Sequence, residues 1–216
     1  LHLLYPTRLD LTLALHRIAE FYESPYPNIR GCAFSEIDFL RAYAKPTGAI
    51  DYFEYWDGFN VPAASLAAFL STFMNWPLSD PEWEVLKAAD QWREEYRVAA
   101  RHGLPFPDTF PPRYKYLIAT EVGSSPSTLP HELAHARWAI DPEYRGRMEE
   151  KLDTIPALLA QVLMDDLCRD DRYANDPDLL KDELQAYLST ASEEEMVETF
   201  PSLTAVERVM LSAAFS

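Results

Sequence analysis

Glycine is scarce in this chain: six in 216 residues, no two of them close together. G-x-G-x-x-G, the Walker A loop and the G-x-S-x-G elbow each need glycines at short spacing, so dinucleotide binding, P-loop chemistry and elbow-type serine hydrolysis are excluded. Cysteine is rarer still. Cys32 and Cys168 make neither a disulfide framework nor a thiolate zinc site, and the inventory resembles that of reduced, cytoplasmic proteins. Long apolar runs are missing too. Val61–Leu70 and Ile155–Met164 are about half a membrane span, and no basic-then-apolar signal peptide opens the chain.

Positive charge is in deficit. Nineteen Lys and Arg face 35 Asp and Glu, a formal net charge of −16. Phosphate binding needs a basic surface, so nucleic acid is excluded as a partner, and anionic membranes with it. The acid is uneven: residues 141–216 carry a net −11 and residues 1–140 only −5.

What is present is mostly helix. Apolar spacing over Leu9–Tyr22 predicts a helix after Asp10 as cap. Ser35 with Asp38 at capping-box spacing starts a second, through Tyr43. Pro62–Phe73 reads as a buried third. Asp80-Pro81 opens a fourth, running to about His102. Pro105–Pro112, with four prolines in eight residues, is a stiff connector. Tyr114–Val122 is the one convincing strand. Further helices follow over Leu129–Ile140, from Asp141-Pro142 to Leu152, and over Pro156–Arg169, Leu179–Ser189 and Ser202–Ala214. The expected fold is α+β, mainly α. An N-terminal helical region, 1–104, joins a metal-binding catalytic region with a short sheet, 105–216, the two packed as one compact unit. Most of the aromatics at 52–59 are expected to be core.

The chemistry lies in His131-Glu-Leu-Ala-His135. Residues four apart stack on one helix face, so both imidazoles can grip one ion. Glu132 projects beside that ion, where it can take a proton from metal-bound water. A catalytic zinc has three protein ligands and an open fourth position. His2, His16 and His102 have no accompanying spacing, so the third ligand is expected to be a carboxylate. Glu183 is one candidate, on a later helix. Its neighbour Asp182 is placed to accept a hydrogen bond from a ligand histidine, which fixes the tautomer. Tyr187, one turn on, shares the face of Glu183. Asp141 is the other candidate, six residues after His135. The glycine that would break the helix for such a ligand is replaced by Trp138, and Asp141-Pro142 also reads as a plain cap.

His131-Glu-Leu-Ala-His135 followed by Asp182-Glu183-x-x-Ala-Tyr187 resembles the gluzincin type of zincin metallopeptidase, over about residues 114–190. It is similar also to small H-E-x-x-H proteins of uncharacterised activity. The resemblance implies a zincin-like core, with His131, His135 and Glu183 as metal ligands and Glu132 as general base. No histidine follows His135, so a tyrosine, Tyr187, Tyr173 or Tyr144, takes the place of the transition-state donor. Strand 114–122 would then be an edge strand holding an extended peptide across the metal, or else a buried structural strand. The expected function is zinc-dependent hydrolysis of a peptide or amide bond, on a peptide or small-molecule substrate. Two alternatives stand beside it. One is a biosynthetic metalloenzyme on a non-peptide substrate, whose two histidines and one carboxylate hold zinc or Fe2+. The other is a non-catalytic interaction domain with a structural metal.

Overall fold

The computed structural model describes residues 1–44, 52–73, 76–89, 114–169 and 176–215. The expected helix beyond residue 89, the Pro105–Pro112 connector, His102 and Tyr173 lie outside them. The fold is α+β, mainly α: eleven described helices and three short strands. The chain divides into two compact units, Leu1–Ser124 and Ser125–Ser216. The division falls twenty residues after the expected 104, because the strand after the proline-rich stretch belongs to the sheet of the first unit.

That unit begins with β1 (His2–Tyr5) and α1 (Arg8–Glu23), followed by α2 (Glu36–Tyr43) and the single turn α3 (Tyr52–Tyr55). β2 (Gly58–Pro62), α4 (Ala63–Thr72), α5 (Asp80–Ala88) and β3 (Tyr116–Glu121) complete it. The sheet order is β1-β3-β2. β1 runs parallel to β3 with His2 opposite Ile118, and β2 runs antiparallel with Asn60 opposite Ile118. β3 is therefore the central strand, paired on both sides, and not the peptide-holding edge expected from the sequence. Its buried run from Tyr116 to Thr120 shows no alternation, as befits a strand covered on both faces.

α1 is the hub, packed against all three strands and against α3, α4 and α5. Leu11, Leu15 and Ile18 give it an apolar stripe with no exposure. Its other face buries charge. Arg17 donates to both carboxylate oxygens of Glu82, each at 2.6 Å, and to the carbonyl of Pro77. Burial raises the Glu20 carboxyl above its usual value, although Tyr43 and Tyr52 donate to it. Tyr52 and Phe59 are buried with this core, as expected for the 52–59 aromatics. Two caps differ from expectation. Thr7 rather than Asp10 caps α1, and Ser79 rather than Asp80 caps α5, in a capping box with Glu82. The capping box of Ser35 with Asp38 is present as read.

In the second unit the described residues form helices alone: α6 (Thr128–Ile140), α7 (Pro142–Asp153), α8 (Ala157–Leu167), α9 (Pro177–Thr190), α10 (Glu193–Thr199) and α11 (Ala205–Phe215). α9 packs against α6, α7, α8 and α11. It starts sharply: Asp176 accepts from the amides of Asp178 and Leu179, and Pro177 opens the first turn. Leu180, Leu184, Ala186 and Leu188 bury its apolar side. Each leucine contributes about 1.5–3 kcal/mol by leaving water. Among the described residues no helix is long and apolar enough to cross a membrane.

Candidate metal centre

α6 carries the H-E-x-x-H segment. Pro130 lies in its first turn, where the missing N–H costs no helical bond. At its other end Asp141 has two jobs. Its amide donates to the carbonyl of Arg137, closing α6. Its Oδ1 accepts from the amides of Glu143 and Tyr144, each at 3.0 Å, opening α7. The following proline keeps Asp141 extended, so the chain turns there. Asp141 is thus committed to the joint between the helices. Among the described residues the one group of metal-ligating side chains is His131, His135 and Glu183.

The three donors converge. His135 Nε2 lies 3.1 Å from His131 Nε2. Glu183 Oε1 is 3.7 Å from His135 Nε2, and Glu183 Oε2 is 3.9 Å from His131 Nε2. Ligands about 2.0–2.2 Å from a tetrahedral centre stand about 3.3–3.6 Å apart. With one ligand atom from each residue the three donors lie within 4.8 Å of one another, so the set could hold a zinc-sized ion once the carboxylate draws in. His135 and Glu183 are sealed, their side chains 2% and 4% exposed, whereas that of His131 is 17% exposed. The cluster therefore opens on its His131 side. Tyr187, half-buried, stands there with its ring edge-on to His131 at 4.5 Å between centroids, backed by Phe200.

The histidines are held unequally. His135 Nδ1 faces Asp182 Oδ1 at 2.9 Å, which places a proton on Nδ1 and turns Nε2 toward Glu183. Among the described residues His131 Nδ1 faces only the Thr190 hydroxyl, at 3.5 Å, and that hydroxyl donates to the carbonyl of Ala186. Burial, together with the charge of His135, drives His131 well below the usual histidine range. Burial opposes charge on His135 as well, but Asp182 and Glu183 outweigh it and hold His135 well above that range. Glu132 is buried, its carboxylate near enough to favour the charge on His135.

The structure thus brings His131, His135, Glu183, Asp182 and Tyr187 into one neighbourhood, with Glu132 beside them. It sets Asp141 apart as a cap. Arg145 pairs with Glu149 at 2.8 Å and lies over the Trp138 ring, so it is occupied on the surface. The other described histidines serve the first unit: His2 bonds Thr120, and His16 bonds Glu36 and the carbonyl of Thr12. Sequence reasoning missed Thr190 and Gln185. Gln185 donates to Asp182 at 3.0 Å. Its spacing of three from Asp182 on one helix was the available signal. Comparison with models of protein families, with curated proteins and with solved structures finds no match to the chain.

Proposed function

We propose that the helical unit 125–216 is a zinc-dependent hydrolase of peptide or amide bonds, with His131, His135 and Glu183 as the metal ligands. The observation that carries this is a buried donor set of three, two imidazoles and a carboxylate, open on one side and flanked by a second buried carboxylate, Glu132. A structural zinc site is closed by four protein ligands, so a set of three with an open side favours catalysis. The gluzincin-like motif order supports the same reading. Bound zinc supplies Lewis acidity, polarising a substrate carbonyl and lowering the pKa of water toward about 7. Glu132 takes the proton of the attacking water and returns it to the leaving amine. Asp182 keeps the proton of His135 on Nδ1, so that Nε2 presents its lone pair. Tyr187 stands on the open side, where its hydroxyl serves as donor to the developing oxyanion.

The test is metal analysis of the full chain purified without added metal, joined to turnover of a mixed fluorogenic peptide library. The expected result is one zinc per chain. Glu132→Gln should keep that zinc and lose about 10²–10⁴ in rate. Iron as the resident metal, or undiminished turnover in Glu132→Gln, overturns the proposal.

A further inference from the structure

Behind His135 the buried polar side chains form one unbroken line. His135 Nδ1 donates to Asp182 Oδ1 at 2.9 Å, and Gln185 Nε2 donates to the same oxygen at 3.0 Å. The Tyr144 hydroxyl donates to Gln185 Oε1 at 2.8 Å. Gln185 has no exposed surface, and Asp182 and Tyr144 are buried. The direction of every bond is forced. An ionised carboxylate only accepts, so the amide turns its NH2 to Asp182. Its carbonyl is then left for Tyr144, which has to donate. Tyr144 is itself pinned. Its backbone amide donates to Asp141 Oδ1 at 3.0 Å, and its ring lies 5.6 Å from the guanidinium of Arg137 and 6.0 Å from that of Arg147.

We infer that Tyr144 and Gln185 are positioning residues for the metal centre: they lock the carboxylate of Asp182 and, through it, the ring of His135. This rests on the metal-binding reading of the cluster. The terminal torsion of an aspartate is broad, so a carboxylate with one partner swings. Two N–H groups converging on one oxygen remove that freedom. They also fix which oxygen meets Nδ1, and so where the lone pair on Nε2 points. Among the described residues His131 has only the long Thr190 contact at its Nδ1, so the aim of the pair depends on His135. Asp141 acts at the far end of the line, as the cap that sets the turn bearing Tyr144.

Co2+ is the probe, because its visible absorption reports the geometry of its ligands and its affinity is read against a competing chelator. The full chain is compared with Tyr144→Phe and Gln185→Met, which keep ring and side-chain volume. Outer partners of this kind are worth about 10–100-fold in metal affinity. Gln185→Met should weaken Co2+ binding about that much and shift the absorption band. Tyr144→Phe should do the same to a smaller extent, with the circular dichroism of the metal-free protein unchanged. If Gln185→Met does not fold, Tyr144→Phe alone decides. Unaltered affinity and band in a folded variant overturn the inference and leave the metal centre standing. Failure of the unmodified chain to bind Co2+ or zinc overturns both.

Discussion

Loading the site with a divalent ion should release one proton, not none and not two. The Nε2 atoms of His131 and His135 face each other across 3.1 Å, so one donates and the other accepts. Burial and the neighbouring charge keep His131 neutral, while Asp182 and Glu183 overcome burial to keep His135 charged. At neutral pH the metal-free pair thus shares one proton, on His135 Nε2. A metal ion needs both Nε2 lone pairs, so that proton has to leave. As pH falls below the raised value of His135, affinity should weaken tenfold per unit, about 1.4 kcal/mol. The slope steepens only once pH also drops below the depressed value of His131. Titration calorimetry in buffers of different ionisation enthalpy measures the count directly, as the slope of observed against buffer enthalpy. A slope near zero or near two refutes the reasoning. The same shifts act on the metal-free fold. The raised His135 adds stability that is complete below about pH 6.5 and is lost as pH rises through its folded value. The depressed His131 has the opposite sign, costing stability as pH falls from about 6.5 to its folded value. The rise in Tm on adding zinc should therefore grow with pH.

Glu183→Ala should abolish stoichiometric metal binding, whereas Asp141→Ala should retain the metal and lose about 1 kcal/mol of stability, the worth of an N-cap. Metal content after gel filtration, paired with thermal unfolding, decides, and the reverse pattern would make Asp141 the ligand. Tyr187→Phe keeps the ring against His131 and removes the hydroxyl, so kcat should fall about a hundredfold with zinc affinity unchanged. An unchanged kcat would mean that Tyr187 only packs. Glu82→Ala strands the guanidinium of Arg17, 4% exposed, and should cost about 3–5 kcal/mol in urea unfolding. A loss below about 1 kcal/mol would show that Glu36, at 3.4 Å, and the carbonyl of Pro77 suffice for Arg17.

The helices were legible because their ends are written in short-range chemistry. Ser35 with Asp38, Asp141-Pro142 and Asp176-Pro177 each mark a start within four residues. Where two cap formers adjoin, as at Ser79 and Asp80, the choice falls to the residue three further on, and Glu82 selects Ser79. The sheet was legible only at its centre. β1 has four residues, and β2 has five bounded by Gly58 and Pro62, so neither signals a strand alone. Each exists because β3 pairs with it, a contact across 50 to 120 residues that no local pattern records. The unbroken apolar run in β3 already spoke against an edge. At the candidate metal centre, charged and imidazole groups at helical spacing were readable. Tyr144 was readable only as a candidate donor and Gln185 only by its spacing from Asp182, because the line from Tyr144 to His135, like the contact of Thr190 with His131, forms only once α6, α7 and α9 pack.

That packing also explains why so short a sequence carries so much of the site. Asp182 and Glu183 are adjacent, yet they address opposite nitrogens of the same ring, at 2.9 Å from Nδ1 and 3.7 Å from Nε2. Successive helical residues point about 100° apart. Their carboxylates can therefore straddle an imidazole that arrives edge-first from a crossing helix. The contact of α6 with α9 then sets three things together: the third donor of the proposed site, the tautomer of His135 and the contact of Tyr187 with His131, while the spacing of the two Nε2 atoms is set within α6. A rotation of α9 by one residue would therefore turn Asp182 and Glu183 away from His135 together.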